Sequence, residues 1–148
     1  MGLARTFSAV VMGVRAHIVE VEADLSQGLP GLSIVGLPDT ALNEARDRVR
    51  AAVVNSGLKW PNVKITVSLS PAWLPKRGSG LDLAIALAIL AADAQLPVQE
   101  VGKLLSLGEL GLDGRVRPAP GALATALALR RSNSPVPSAL AAGSSACV

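Results

Sequence analysis

The chain has 148 residues, a net charge of +3 from ten Arg and four Lys against eleven acids, and a composition that is half hydrophobic. That length suits one domain with a sizeable core. A single His17 and a single Cys147, far apart in sequence, exclude the usual soft-ligand metal shell and any internal disulfide. Phe7, Trp60 and Trp73 are the only aromatic residues, too few for a stacking platform that reads several bases of a single strand.

No apolar run reaches the roughly 18 residues of a membrane span, and the N-terminus soon becomes charged and alternating, unlike a signal peptide. A cytoplasmic protein with no membrane partner is expected. The mild positive charge is compatible with nucleic acid and equally with a solvated surface.

In chain order, "TFSAVVMGV" and "RAHIVEVEADL" predict two strands joined near Gly13. In the second, His17, Val19, Val21 and Ala23 share one face, and His17 reads as a structural residue. Leu32, Ile34 and Val35 predict a short third strand between Gly-Pro breaks, completing an antiparallel meander. "LPDTALNEARDRVRAAVVNSG" predicts one helix, with Ala41, Ala45, Val49, Ala52 and Val53 on a stripe and Arg46, Asp47, Arg48 and Arg50 mostly off it. Asn55-Ser56-Gly57 is its natural stop.

"NVKITVSLSP" is the cleanest strand, with Val63, Ile65, Val67 and Leu69 facing one way. A helix from about Ser79 to Ala92 follows, apolar nearly all round and so packed on several sides. "LLSLGELGLDGRVRP" predicts a hairpin turning through Leu112-Asp113-Gly114. "PGALATALALRR" predicts a last helix. The closing segment, rich in Ser, Pro, Ala and Gly, reads as an irregular tail. Residues 1–131 thus form the domain and 132–148 the tail.

The stretch "PAWLPKRGSGLDLAIALAIL" carries the functional question: phosphate cradle, catalytic turn or helix entrance. A phosphate-binding loop needs GxxxxGK(S/T) between strand and helix, its N–H groups holding phosphates and its Lys reaching the terminal ones. Here Lys76 precedes the glycines, and Gly102-Lys103 is followed by Leu104. No ATP site, cofactor site or metal site is therefore expected on this chain. Asp82 reads as a carboxylate that caps the first turn or pairs with an Arg, or else as a ligand or catalytic acid. Lys76 and Arg77, flanked by Gly, are expected to project, and Arg46 and Arg50 share a helix face. Together they make a candidate cationic patch for weak, non-specific DNA contact.

In combination, "GLPDTALNEARDRVRAA", "PKRGSGLDLAIAL" and "GELGLDGRVRP" closely resemble the N-terminal domain of the ComM/YifB family of Mg-chelatase-like AAA+ ATPases, over about residues 4 to 130. The resemblance implies an α/β (α+β) fold like the Lon peptidase domain, a small mixed sheet with packed helices. It implies DNA processing, branch migration in transformation, with ring assembly and with ATP and Mg used by a module outside this sequence. It also implies a place for a Ser-Lys dyad. In the Lon-type turn Pro-Lys-Asp-Gly-Pro-Ser-Ala-Gly, laid on Pro75 to Gly80, the nucleophile falls on Gly80, and the partner Lys falls on Leu123.

Both dyad members are missing. Ser79 is one residue off, a turn of about 100° at a helix start, and no Lys follows Lys103 to activate it. The expectation is a Lon-like domain without catalysis; an interaction domain without DNA, or a vestigial peptidase using Ser79, are the alternatives. The odd tail leads us to expect a truncated or frameshifted gene, the alternative being an end chosen by cloning.

Overall fold

The computed structural model describes residues 2–131 and 138–141. Strand β1 (Leu3–Met12) turns at Gly13 into β2 (Arg15–Ser26), an antiparallel hairpin in register from Leu3–Asp24 to Met12–Arg15. Then come β3 (Gly31–Val35), the single turn α1 (Thr40–Asn43), α2 (Ala45–Asn55), β4 (Lys64–Ser70) and α3 (Asp82–Ala92). After them are α4 (Val98–Val101), β5 (Leu104–Leu107), β6 (Glu109–Leu110), β7 (Val116–Arg117), α5 (Ala122–Arg131) and β8 (Ser138–Ala141).

Six strands form one mixed sheet in the order β3-β4-β2-β1-β5-β8. The β2–β4 pair is antiparallel, and β3–β4, β1–β5 and β5–β8 are parallel. The alternation read in β2 and β4 holds: Val19, Val21, Ala23 and Leu25, with Ile65, Val67 and Leu69, all point into the core. Helix α3 lies against β1, β2 and β5, and of its residues only Leu83 and Leu87 keep appreciable exposure. Its alanines let the helix approach the sheet closely. At about 25 cal/mol per Å², a helix buried on most sides is a large share of the stabilising apolar area.

The fold corrects several expectations. The first three strands are not a meander: β3 pairs with β4, parallel, and β4 separates it from β2. Parallel neighbours need a long crossover, and the α1–α2 segment supplies it. The helix read through residues 38–55 is interrupted at Glu44, where α1 ends and α2 begins. The hairpin read from Leu104 to Pro118 divides at Gly108. β5 joins the main sheet, and only β6 and β7 pair with each other. Gly108 is held by α3's entrance, donating to Gly80 O at 3.0 Å and accepting from Leu83 N at 3.1 Å. Helix α4 was not anticipated. Within the segment read as tail, Ser138–Ala141 is strand β8 on the open edge of β5. The remaining tail positions, Cys147 among them, lie outside the described residues.

Among the described residues no helix is long and apolar enough to cross a membrane, and no group of three or more His, Cys, Asp or Glu could hold a metal ion.

Candidate functional site

Between β4 and α3 the chain makes the turn in which the resemblance places a nucleophile. Leu74 N closes a first turn onto Pro71 O at 3.3 Å. The next residues run as a short strand-like segment beside Leu37–Asp39. Lys76 N donates to Leu37 O, and Asp39 N to Lys76 O, both at 3.0 Å, a parallel bridge between Pro38 and Lys76. Side chains on such a segment alternate. Leu74 and Lys76 go inward, while Pro75 and Arg77 face solvent.

Lys76 is therefore fully buried, not projecting. Its ammonium group donates to Pro71 O, and desolvation lowers its pKa below the ordinary lysine value. The basic patch loses this member for a physical reason: the bridge fixes the parity of the strand, and parity outranks charge. Arg77 remains exposed. Gly78 follows with φ +78°, a left-handed conformation that suits glycine. Its N–H donates to the Asp39 carboxylate at 3.1 Å and 3.3 Å to the two oxygens. Asp39 Oδ1 also accepts from Leu42 N at 2.8 Å, capping α1. One carboxylate thus ties the turn to the start of the helical crossover.

At Gly80 a Cβ would lie 3.2 Å from Leu107 Cδ1 and 3.3 Å from Ala119 Cβ. The space a nucleophile's side chain would need is lined by hydrocarbon. Leu123, at the position of the partner Lys, is 75% exposed. Ser79 is half-buried; its carbonyl accepts from Asp82 N at 3.2 Å, and its hydroxyl has no side-chain partner among the described residues.

Asp82 is wholly buried and belongs to an ion pair. Arg48 Nε meets Oδ2 at 2.7 Å and Arg48 Nη2 meets Oδ1 at 3.0 Å, while Leu110 N donates to Oδ2 at 3.1 Å. Of the two structural roles read for Asp82, the Arg pairing is the one adopted; the N–H it accepts comes from β6 and not from its own helix. Arg48 also donates to Ala41 O at 2.9 Å, so α1, α2, α3 and β6 meet at this pair. Burial pushes the Asp82 carboxyl up, opposed by the bonds from Arg48 and Leu110. The hydrogen bond to Asp82 raises Arg48. Sequence reasoning did not single out Arg48, although it lies on the side of α2 opposed to Arg46 and Arg50.

Arg46 and Arg50 are exposed on α2. They line a groove with Trp60 and Asn62, and neither Lys76 nor Arg77 contributes to it. Of the four residues read as one patch, the fold brings two together there.

A family model described as subunit ChlI of Mg-chelatase matches residues 21–137. An uncharacterized protein of Mycobacterium tuberculosis is 53% identical over 135 residues, 91% of this chain and 27% of that protein. YifB of Escherichia coli, also uncharacterized, is 48% identical over 126 residues, 85% of this chain and 25% of that protein. Competence protein ComM of Haemophilus influenzae is 44% identical over 132 residues, 89% of this chain and 26% of that protein. The chain spans about a quarter of the length of these relatives. With this turn, this mixed sheet and these relatives, the chain belongs to the ComM/YifB family of Mg-chelatase-like proteins and carries its N-terminal domain.

Proposed function

We propose that this chain is a non-catalytic Lon-like domain, a contact and assembly module of a ComM/YifB-type protein whose wider role is DNA processing. The observation that carries the reading is Gly80. The nucleophile position holds no side chain, and the space beside it is taken up by Leu107 and Ala119. At Leu123 the second dyad position offers an exposed hydrocarbon and no base. A Ser without an activating base is a poor nucleophile, and the ionisable groups nearest the turn, the exposed Arg77 apart, are already engaged: Asp39 by backbone N–H groups, Asp82 by Arg48, Lys76 by Pro71 O.

One relative is named a competence protein, which agrees with DNA processing. ATP-driven work, ring assembly and any Mg requirement are assigned to the family protein at large, because this sequence has no GxxxxGK(S/T) loop. A cytoplasmic setting accords with that role. The test is a fluorophosphonate activity probe beside an ATP turnover assay on the 148-residue chain. No labelling and no turnover are expected. Labelling that disappears in Ser79→Ala would establish a peptidase instead.

A further inference from the structure

The start of β3, one face of α2 and the segment Trp60–Asn62 before β4 surround a groove of about 340 Å³, within the size range of small-molecule sites. Arg46 and Arg50 both line it. They lie one helical turn apart, about 6 Å along the axis. Neither pairs with a carboxylate among the described residues, in contrast to Arg48 between them. Arg46 spends only its Nε on a local carbonyl, Asn43 O at 3.2 Å, which leaves the fork of its guanidinium available. Trp60 is partly buried against the core and also lines the groove.

We propose that this groove binds a nucleotide unit, its base against Trp60 and its phosphate charge on Arg46 and Arg50. This rests on reading the domain as a contact module, and assigns that contact a ligand and a residue set. A guanidinium meets phosphate oxygens in a two-pronged fashion, and an indole face stacks on any base. Two cations one turn apart suit two neighbouring phosphate groups. These are found in a nucleoside diphosphate and on either side of an unpaired base in a single strand. An acidic peptide would use the arginines and leave the indole idle. An apolar ligand would leave both arginines unanswered. One indole accommodates one base, in keeping with the scarcity of aromatic residues. Asp47 shares the lining. Its carboxylate repels a phosphate placed above it and so directs the anionic groups onto the arginines beside it.

Trp73→Phe makes Trp60 the sole tryptophan, so its emission reports on the groove directly. The parent in this background is titrated with short oligothymidylate, the same strand in duplex form, ADP and polyglutamate. Quenching by oligothymidylate or by ADP is the expected result, and which of them acts identifies the source of the nucleotide. Arg46→Ala/Arg50→Ala, with an unchanged melting temperature, is expected to weaken it by roughly tenfold or more, and Asp47→Asn to strengthen it. The groove is refuted if neither ligand quenches Trp60, if polyglutamate or duplex acts as strongly, or if the double Arg variant binds as the parent does. Oligonucleotide binding seen by anisotropy without Trp60 quenching removes the groove and keeps the DNA-contact reading. Peptidase labelling removes the non-catalytic reading and leaves the groove untouched.

Discussion

Two basic stretches, Arg46 to Arg50 on α2 and Lys76-Arg77 before α3, present similar charge in the sequence and receive different treatment in the fold. On the helix, residue 48 points away from residues 46 and 50, which share a face, because the period is 3.6. Arg48 turns to Asp82, while Arg46 and Arg50 stay at the surface groove. In the turn, the period is two, and the choice is binary: Lys76 in, Arg77 out. A cation can therefore be consumed in two ways. Arg48 is partly buried with a counter-charge and three good hydrogen bonds. Among the described residues, Lys76 is buried with a carbonyl oxygen as its only partner. The first arrangement is self-consistent; the second leaves a desolvated ammonium without an acid.

The comparison is broken most severely at the paired cation. Asp82→Leu removes the carboxylate and leaves Arg48 and Leu110 N without their acceptor. Stranding one partner of a buried pair typically costs about 3–5 kcal/mol. Arg48 keeps some exposure, with 18% of its side chain accessible, so a loss near the lower end, about 3 kcal/mol, is expected in urea unfolding. Arg48→Met/Asp82→Leu should recover much of that loss, since replacing both charges by hydrocarbon is often close to neutral. A double variant as unstable as Asp82→Leu alone would show that the packing of four elements depends on the ions themselves.

The solitary cation is expected to behave oppositely. Lys76→Met keeps the stem and removes the charge, and should raise stability at neutral pH by about 1 kcal/mol. The pH dependence has a definite sign. The folded-state pKa of Lys76 is lowered by desolvation from the ordinary 10.5, so the unfolded chain binds more protons in the window between the two values. Stability contributed by this group is fully present above the unfolded value and is lost as pH falls through the folded one. The parent should therefore gain stability as pH rises towards 10.5, and Lys76→Met should lack that gain. Urea midpoints for both proteins across the alkaline range decide it; parallel curves mean that Lys76 does not titrate on folding.

The same contrast explains what could be read without coordinates. Strands β1, β2 and β4 and helix α3 were legible because their burial follows a local period of two, or a nearly unbroken apolar run. The inward turn of Lys76 was also written locally, in the Leu74/Lys76 against Pro75/Arg77 alternation, but flanking glycines suggested a projecting loop. The partner of β3 was not legible. Its choice of β4 over β2 depends on a crossover returning from α2, and no local pattern encodes that return. Nor was the division at Gly108, where a contact to Gly80 across the fold decides which strand joins which sheet. The groove was half legible. Arg46 and Arg50 announce themselves by spacing, yet Trp60 reaches them from a loop between α2 and β4.

The smallest effect is expected at Arg77, where the contrast is sharpest by position: it adjoins Lys76 and is exposed. It makes no ion pair among the described residues and does not line the groove. Surface substitutions away from caps and networks usually change stability by less than about 0.5 kcal/mol, so Arg77→Ala should melt as the parent does. Its charge can still act on a polyanion at a distance, but that action is screened within about 10 Å at 0.1 M salt. Oligothymidylate affinity in Arg77→Ala should therefore fall slightly at low salt and match the parent at physiological salt, where Arg46→Ala/Arg50→Ala still shows its deficit. A loss in Arg77→Ala equal to that of the double variant at every salt concentration would move the nucleic-acid contact to the turn. The groove would then be a bystander, and the basic residue before α3 would become the one to pursue.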